Sequence, residues 1–187
     1  MRCIRLALML AALLPSPAWA VLLSLSAQQV EKALELGRTS VTEERFGEEW
    51  QITLKGETVT VTTLFSRLAF AARNAAFKRE SLPASEIQKL LNRGKGRIQF
   101  LAALRGRPAE FARFYEPVLL AKGKEVKPLF VQNERTSAPQ EDGAFLARCL
   151  YVFPTDGLDP RGKVILVIRQ SKGPEVFRST IDLESMR

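Results

Sequence analysis

The chain has 187 residues, 46% of them hydrophobic, which is long enough for one domain with a full hydrophobic core. It contains 28 Lys and Arg residues against 20 Asp and Glu residues, a net charge of +8. Outside the cytoplasm, anionic polymers and lipid headgroups are the electrostatic partners that this charge suits, and the alternative is that the charge only keeps the protein in solution. Because there is no histidine, the composition excludes His-based acid–base catalysis, His-containing triads and His-dependent zinc or copper sites.

The first twenty residues have the three parts of a secretory signal peptide. Arg2 and Arg5 give a basic start, residues 6–14 are apolar, and an Ala-Trp-Ala sequence at 18–20 has the small side chains that a signal peptidase reads. The apolar run is too short for a membrane span, which needs about 20 apolar residues. We therefore expect cleavage after residue 20, a mature chain over 21–187 without a transmembrane segment, and a periplasmic or secreted location. Nucleic acid is not an expected partner there.

The mature chain is predicted to begin with a helix and a hairpin. Ser26 and Gln29 have the spacing of a capping box, in which two side chains satisfy free backbone N–H groups at a helix start. Gly37 stands where a C-terminal cap would end this helix. Alternating apolar residues over 50–61 predict a small hairpin with its turn at 55–57.

Residues 64–79 form the strongest predicted helix, because they are rich in alanine and contain no glycine or proline. Phe70 and Phe77, one heptad apart, form an apolar stripe on the otherwise polar side of this helix. Two interpretations are open: the helix is covered on both sides, or the two rings form an exposed ridge that binds a partner. A shorter helix is predicted over 84–92.

From residue 97 onward the chain is rich in β-branched and aromatic residues, with turn signals at regular intervals. Residues 111–121 are either one strand with an edge proline or a helical turn followed by a strand. About six short strands at this spacing predict an antiparallel β-sandwich or open barrel. The predicted strands are 98–104, 111–121, 126–131, 145–153, 164–168 and 176–183.

The predicted strand over 164–168 is the reason to expect that the helix-rich and β-rich parts of the chain pack together. Its residues are almost all aliphatic, which indicates a central strand buried on both faces. The alanine-rich helix is the expected cover of its second face. We therefore predict a single α+β domain over 21–187, helix-rich over 24–93 and β-rich over 97–187, in which N-terminal helices and the small hairpin cover the sheets.

Cys149 is the one thiol left after removal of the signal peptide, so no intramolecular disulfide is expected. It alternates with apolar residues at 145, 147, 151 and 153, which places it on the apolar face of a strand. This pattern favours a buried core thiol over a redox or catalytic one.

The densest basic cluster consists of Arg93, Lys95, Arg97, Arg105 and Arg107. Glycines at 94 and 96 would allow backbone amides to help hold a phosphate or sulfate, so this cluster is a candidate anion-binding site. No phosphate-binding glycine motif is present, and a solvated connection between a helix and a strand is the alternative interpretation.

The acidic pairs at 43–44 and 48–49 are the residues most suggestive of an enzyme, since paired carboxylates can perform hydrolysis when they face one another. The sequence has no nucleophile motif, and it assigns no catalytic residue, cofactor or metal site. The main hypothesis is an exported, non-enzymatic binding or interaction protein of the cell envelope, with an unknown envelope protein or anionic polymer as partner. The alternatives are a small hydrolase that depends on carboxylates and lysines, and a protein that binds anionic polymers or lipid headgroups.

Overall fold

The computed structural model of the protein describes residues 25–186, so the predicted signal peptide over 1–20 lies outside the described residues. Within residues 25–186 the chain forms three α-helices and ten β-strands, and the strands make two antiparallel sheets. This architecture confirms the predicted α+β class and is consistent with a sandwich or open barrel. No helix of the described chain combines the length and the apolar character needed to cross a membrane.

The elements begin and end close to the predicted positions. The helices are α1 (Ala27–Thr39), α2 (Leu64–Phe77) and α3 (Ala84–Gly94), and a 3₁₀ helix spans Glu48–Trp50. The strands are β1 (Gln51–Leu54), β2 (Glu57–Thr62), β3 (Arg97–Gly106), β4 (Tyr115–Ala121), β5 (Lys124–Val126), β6 (Phe130–Gln132), β7 (Ala138–Pro139), β8 (Phe145–Pro154), β9 (Lys163–Gln170) and β10 (Glu175–Asp182).

The two sheets differ in size and share no strand. The six-stranded sheet has the order β1-β2-β3-β8-β6, and the short β7 also pairs with β8. The four-stranded sheet has the order β10-β9-β4-β5. The longest ladder joins β3 to β8 over ten residues, from Arg97 opposite Pro154 to Gly106 opposite Phe145.

The predicted hairpin is formed by β1 and β2, and its turn has the backbone that a two-residue connection requires. Lys55 and Gly56 both have positive φ, at 51° and 82°, which matches the right-handed twist of the two strands. The same pair of positive φ values recurs at 122–123, between β4 and β5.

The core lies between the sheets, where every second side chain of β3 and β8 is buried. Leu119 of β4 and Leu166 of β9 belong to the same buried cluster from the four-stranded sheet. Cys149 is fully buried there, and burial raises the pKa of its thiol, which confirms the core position that the alternation predicted. The inward-facing buried residues of the two long strands are Ile98, Phe100, Ala102, Leu104, Ala147, Cys149, Tyr151 and Phe153, and Val152 of β8 is buried on the opposite face.

α2 packs on α1 and reaches the six-stranded sheet at β2, so it is not the cover of β9 that the sequence suggested. Ala69 of α2 is buried in the same cluster as Val59 and Val61 of β2. On the outer face of β9, Val167 is buried between Val118 of β4 and Arg178 of β10, its neighbours in register.

Gly37 is not the C-terminal cap that was predicted, because α1 continues to Thr39. It lies in the interior of the helix, where α1 approaches α2 closely. A Cβ atom on Gly37 would lie 2.8 Å from the Ala72 Cβ and closer still to the Ala69 carbonyl oxygen. The capping box at Ser26 is confirmed, since its hydroxyl accepts from the backbone N–H of residue 29 and the Gln29 side chain accepts in return.

Two predicted strands are divided in the structure. Over 111–121 the helical-turn alternative is confirmed, because turns with i to i−3 backbone hydrogen bonds precede β4. The predicted strand over 126–131 becomes two strands, with β5 in the four-stranded sheet and β6 in the six-stranded sheet. Pro128 lies between them, at the point where the chain crosses from one sheet to the other.

A buried polar chain joins the sheets beside this crossing. The Tyr151 hydroxyl of β8 donates to the Asn133 Oδ1 at 3.0 Å, and the Asn133 Nδ2 donates to the Tyr115 carbonyl of β4 at 2.8 Å. Because Asn133 follows β6 directly, these bonds fix the crossing segment to both sheets. A satisfied buried hydroxyl also avoids the cost of about 1–3 kcal/mol that an unpaired one carries.

We expect Gly37→Ala to lower the free energy of unfolding by about 1–3 kcal/mol, because the new Cβ would push against the backbone of α2. At an exposed helix position, the same change raises stability by up to about 1 kcal/mol, so the sign of the effect is informative. Urea unfolding followed by circular dichroism measures it. The exposed Glu35→Ala in the same helix is the control and should change stability by less than about 0.5 kcal/mol. A Gly37→Ala protein as stable as the original chain would contradict the close helix approach.

Candidate anion-binding site

The structure does not bring the five predicted cations together. Arg97 begins β3 and Arg105 lies eight residues further along it, which separates their backbones by about 26 Å at 3.3 Å per residue. Arg105 forms an ion pair with the Asp142 carboxylate, and Arg107 donates to the Asp142 carbonyl at 3.1 Å. The prediction of one anion site formed by all five cations is therefore wrong. The length of β3 separates Arg97 from Arg105, and Asp142 already binds Arg105 and Arg107.

The first group is joined by a fourth cation from α2. The last turn of α3 packs on the first turn of α2 at Gly94, where a Cβ would lie 2.5 Å from the Leu64 Cδ2 and 3.8 Å from the Arg67 Nε. This contact brings the Arg67 guanidinium beside the connection that carries Arg93, Lys95 and Arg97. We call these four residues, Arg67, Arg93, Lys95 and Arg97, the basic corner.

Arg67 is the unusual member of the basic corner, because its side chain is half-buried and incompletely satisfied. Its Nε atom is buried and has no hydrogen-bond partner within residues 25–186. Burial lowers the pKa of the Arg67 guanidinium, and the positive charge of Arg97 lowers that pKa further. A guanidinium in this state favours a nearby oxyanion, since the anion supplies the opposite charge.

The other three members are exposed, and the Glu86 carboxylate, whose pKa Arg93 helps to lower, is the acidic group that interacts with one of them. In the part of the chain that the structure describes, none of the four cations forms an ion pair with a carboxylate. Gly96 has a φ of +67° and turns the chain between Lys95 and Arg97. The arrangement can hold an anionic group between a half-buried guanidinium and three solvent-facing cations.

The sequence alone does not identify Arg67 as a member of the basic corner, because Arg67 lies twenty-six residues or more from the other members, on a different element. Within the pattern of α2 it counted only as one of the polar residues on the side that carries Phe70. The contact at Gly94 depends on how two helices pack, and no local motif signals it.

The acidic pairs do not form a catalytic site. Glu43, Glu44, Glu48 and Glu49 are all exposed, and the Glu49 carboxylate accepts from the Gly47 backbone N–H at 3.1 Å. A hydrolase would need at least two acidic groups that face one another in a pocket with perturbed pKa values. These side chains lie at the surface instead, so the structure gives the hydrolase hypothesis no support.

The segment that carries the acidic pairs is fixed to α2 by Arg73. Its Nε donates to the Ser40 carbonyl at 2.9 Å and its Nη2 donates to the Glu43 carbonyl at 2.8 Å. The same guanidinium lies 4.8 Å from the centre of the Phe46 ring. Arg73 therefore has a structural role, in contrast to Arg67 on the same helix.

Phe70 and Phe77 have different environments and do not form one exposed ridge. The Phe70 ring packs edge-on against Phe46 and Trp50, with ring centres 5.1 and 5.3 Å apart. Phe77, at the end of α2, is 76% exposed. The helix is covered at Phe70, as the structural interpretation expected, and only Phe77 is available to a partner.

Comparison of the sequence with models of protein families and with curated proteins finds no match. The residues of this chain and their arrangement are therefore what indicates its function.

We expect Arg67→Met to raise the free energy of unfolding by about 1 kcal/mol in dilute chloride buffer, because it removes a half-buried cation with an unpaired Nε. Sulfate at equal ionic strength should then raise the melting temperature of the original protein more than that of the variant, since a bound anion stabilises the folded state. Thermal unfolding in the two salts measures both effects. Arg178→Met, which removes a cation from β10, should respond to sulfate like the original protein. An equal sulfate response of all three proteins would contradict anion binding at Arg67.

Proposed function

We propose that the protein is an exported, non-enzymatic binding protein of the cell envelope, and that the basic corner binds anionic groups of an envelope polymer or lipid. The observation that carries this proposal is the half-buried Arg67 guanidinium, whose Nε has no acceptor in the described chain and which lies beside Arg97. Folding brings two like charges together there without a carboxylate to separate them. An anionic ligand compensates the charge repulsion.

One feature of the sequence supports export. The basic start, short apolar run and small-residue site over 1–20 are the parts of a cleavable leader. The buried Cys149 thiol, with no second cysteine in the proposed mature chain, is compatible with an oxidising compartment.

Three features support binding rather than catalysis. The chain lacks histidine, the acidic pairs at 43–44 and 48–49 are exposed, and the buried Cys149 thiol has a raised pKa that disfavours the reactive thiolate. A binding protein needs none of these groups. The features that the basic corner does have, fixed charge and free N–H donors, are those that recognise an anion.

Titration with tripolyphosphate tests anion binding at the basic corner. We expect isothermal calorimetry to show binding that weakens as sodium chloride is added, because exposed charges are screened by salt. Arg67→Gln and Arg97→Gln should each weaken binding by about tenfold, the loss expected for one charge-assisted hydrogen bond. Arg178→Gln removes the same charge from the other sheet and is the matched control. Binding that does not depend on salt concentration, or that is weakened equally by Arg178→Gln, would contradict the proposal.

The predicted export is tested on the protein made by its native host. Mass spectrometry of the isolated protein should show an N-terminus at Val21 and enrichment in the fraction outside the cytoplasm. Changing Ala18 and Ala20 to bulky residues should block cleavage, and a longer chain should then accumulate. A cytoplasmic protein that retains Met1 would contradict export, and with it the choice of envelope components as ligands.

A further inference from the structure

The outer face of the six-stranded sheet carries an exposed apolar surface. Strand alternation that buries Phe100 directs Leu101 to the opposite face, where it is 47% exposed. Leu150 of β8 lies opposite Leu101, and Phe130 of β6 lies opposite Val152. Phe130 is 49% exposed, whereas Val152, its neighbour in register, is only 6% exposed. The four side chains form an apolar patch across three neighbouring strands that is exposed at Leu101 and Phe130 and covered at Val152, whereas isolated apolar residues are ordinary on protein surfaces.

The charges on this face are of one sign. Among the strand residues that alternation places there in the described chain, three are arginines, Arg97, Arg105 and Arg148, and none is acidic. Two carboxylates approach the face from loops: Asp142 pairs with Arg105, and Glu134 accepts from the Arg148 backbone N–H. The excess positive charge therefore lies at the end where β3 begins.

The basic corner and the apolar surface are continuous. Arg97 belongs to the corner and is also the first outward residue of β3, followed on the same face by Gln99 and Leu101. Gln99 is in register with Val152, and Val152 with Phe130, so the exposed ring lies at the same end of the face as Arg97. Cations and apolar side chains are thus presented together on one face of the sheet.

A surface with both features matches a ligand that has anionic groups beside hydrocarbon. A soluble acidic polymer would engage only the cations, and it would leave Leu101 and Phe130 exposed. Anionic lipid headgroups would meet the arginines while the apolar side chains enter the boundary with the acyl chains. Stable attachment to a membrane generally takes two such signals, one apolar and one electrostatic.

We propose that the outer face of the six-stranded sheet lies flat on an anionic lipid membrane, with the basic corner at its edge. This inference rests on the proposed function, because it assigns the anions of the basic corner to lipid headgroups.

Co-sedimentation with vesicles tests the inference. The protein should bind vesicles of phosphatidylcholine mixed with phosphatidylglycerol, and bind vesicles of phosphatidylcholine alone at least about tenfold more weakly. Leu101→Thr and Phe130→Thr replace each apolar side chain with a β-branched residue that strands favour, and should each weaken binding to the mixed vesicles by about tenfold. Both should bind tripolyphosphate as the original protein does. Phe114→Thr removes a ring that is 67% exposed in the turns before β4, and it should leave vesicle binding unchanged.

A second measurement does not depend on any variant. Mixed vesicles should slow amide hydrogen exchange in the edge strand β6 and leave exchange in β5, the edge of the other sheet, unchanged. Protection of both edges or of neither would overturn the flat orientation.

The outcomes separate this inference from the proposed function. If tripolyphosphate binds but mixed vesicles do not, the ligand is a soluble anion and the lipid assignment is wrong. If neither binds, both proposals fail. If the protein alone is a dimer by light scattering and Phe130→Thr makes it a monomer, a second copy covers the face and the membrane assignment is wrong.

Discussion

Pairing of β3 with β8 over ten residues is the constraint on which the rest of the structure depends. Side chains in a strand alternate between two faces, so a register that buries Phe100 and Tyr151 must expose Leu101 and Arg97. A slip of one residue would exchange the two sets, and the apolar core would be lost. The register that buries the core residues therefore also determines which side chains lie on the outer face. The surface proposed to bind lipid is a direct consequence of the same ladder.

Close packing of the helices positions Arg67, which the sheets alone do not do. Gly37 lets α1 approach α2, and Gly94 lets the end of α3 rest on Leu64. The second contact holds Arg67 near Arg97 and partly removes it from water, although isolated cations normally remain solvated. Withdrawal of a charge with an unpaired donor lowers stability and favours a ligand that supplies an acceptor. This trade of stability for affinity is common at binding sites.

The outer faces of the two sheets differ in how they handle charge. On the four-stranded sheet, Arg169 pairs with Glu125, Arg178 pairs with Glu175, and Lys163 lies 4.0 Å from Asp182. Such exposed pairs add little stability, but they leave that face nearly neutral and covered by long side chains. The six-stranded sheet carries Arg97 without an ion-pair partner in the described chain and leaves Leu101 and Phe130 about half exposed. This asymmetry favours the larger sheet as the face that meets a ligand.

Local patterns in the sequence determined the elements, because capping, turn chemistry and alternation involve residues a few positions apart. The capping box at Ser26, the hairpin turn at Lys55 and the buried side of the strand with Cys149 were all predictable in this way. The separation of the basic cluster into two groups could also have been predicted from the sequence, since eight residues of extended chain between Arg97 and Arg105 imply a long distance.

Tertiary structure alone decided which distant surfaces meet. The crossing of β5 and β6 into different sheets, the role of Gly37 inside α1 and the position of Arg67 beside Arg97 depend on contacts between residues far apart in the chain. A periodic pattern reports which side of an element is apolar, but it does not report what that side packs against. The elements of this protein follow from its sequence, and its candidate binding surface follows from their packing.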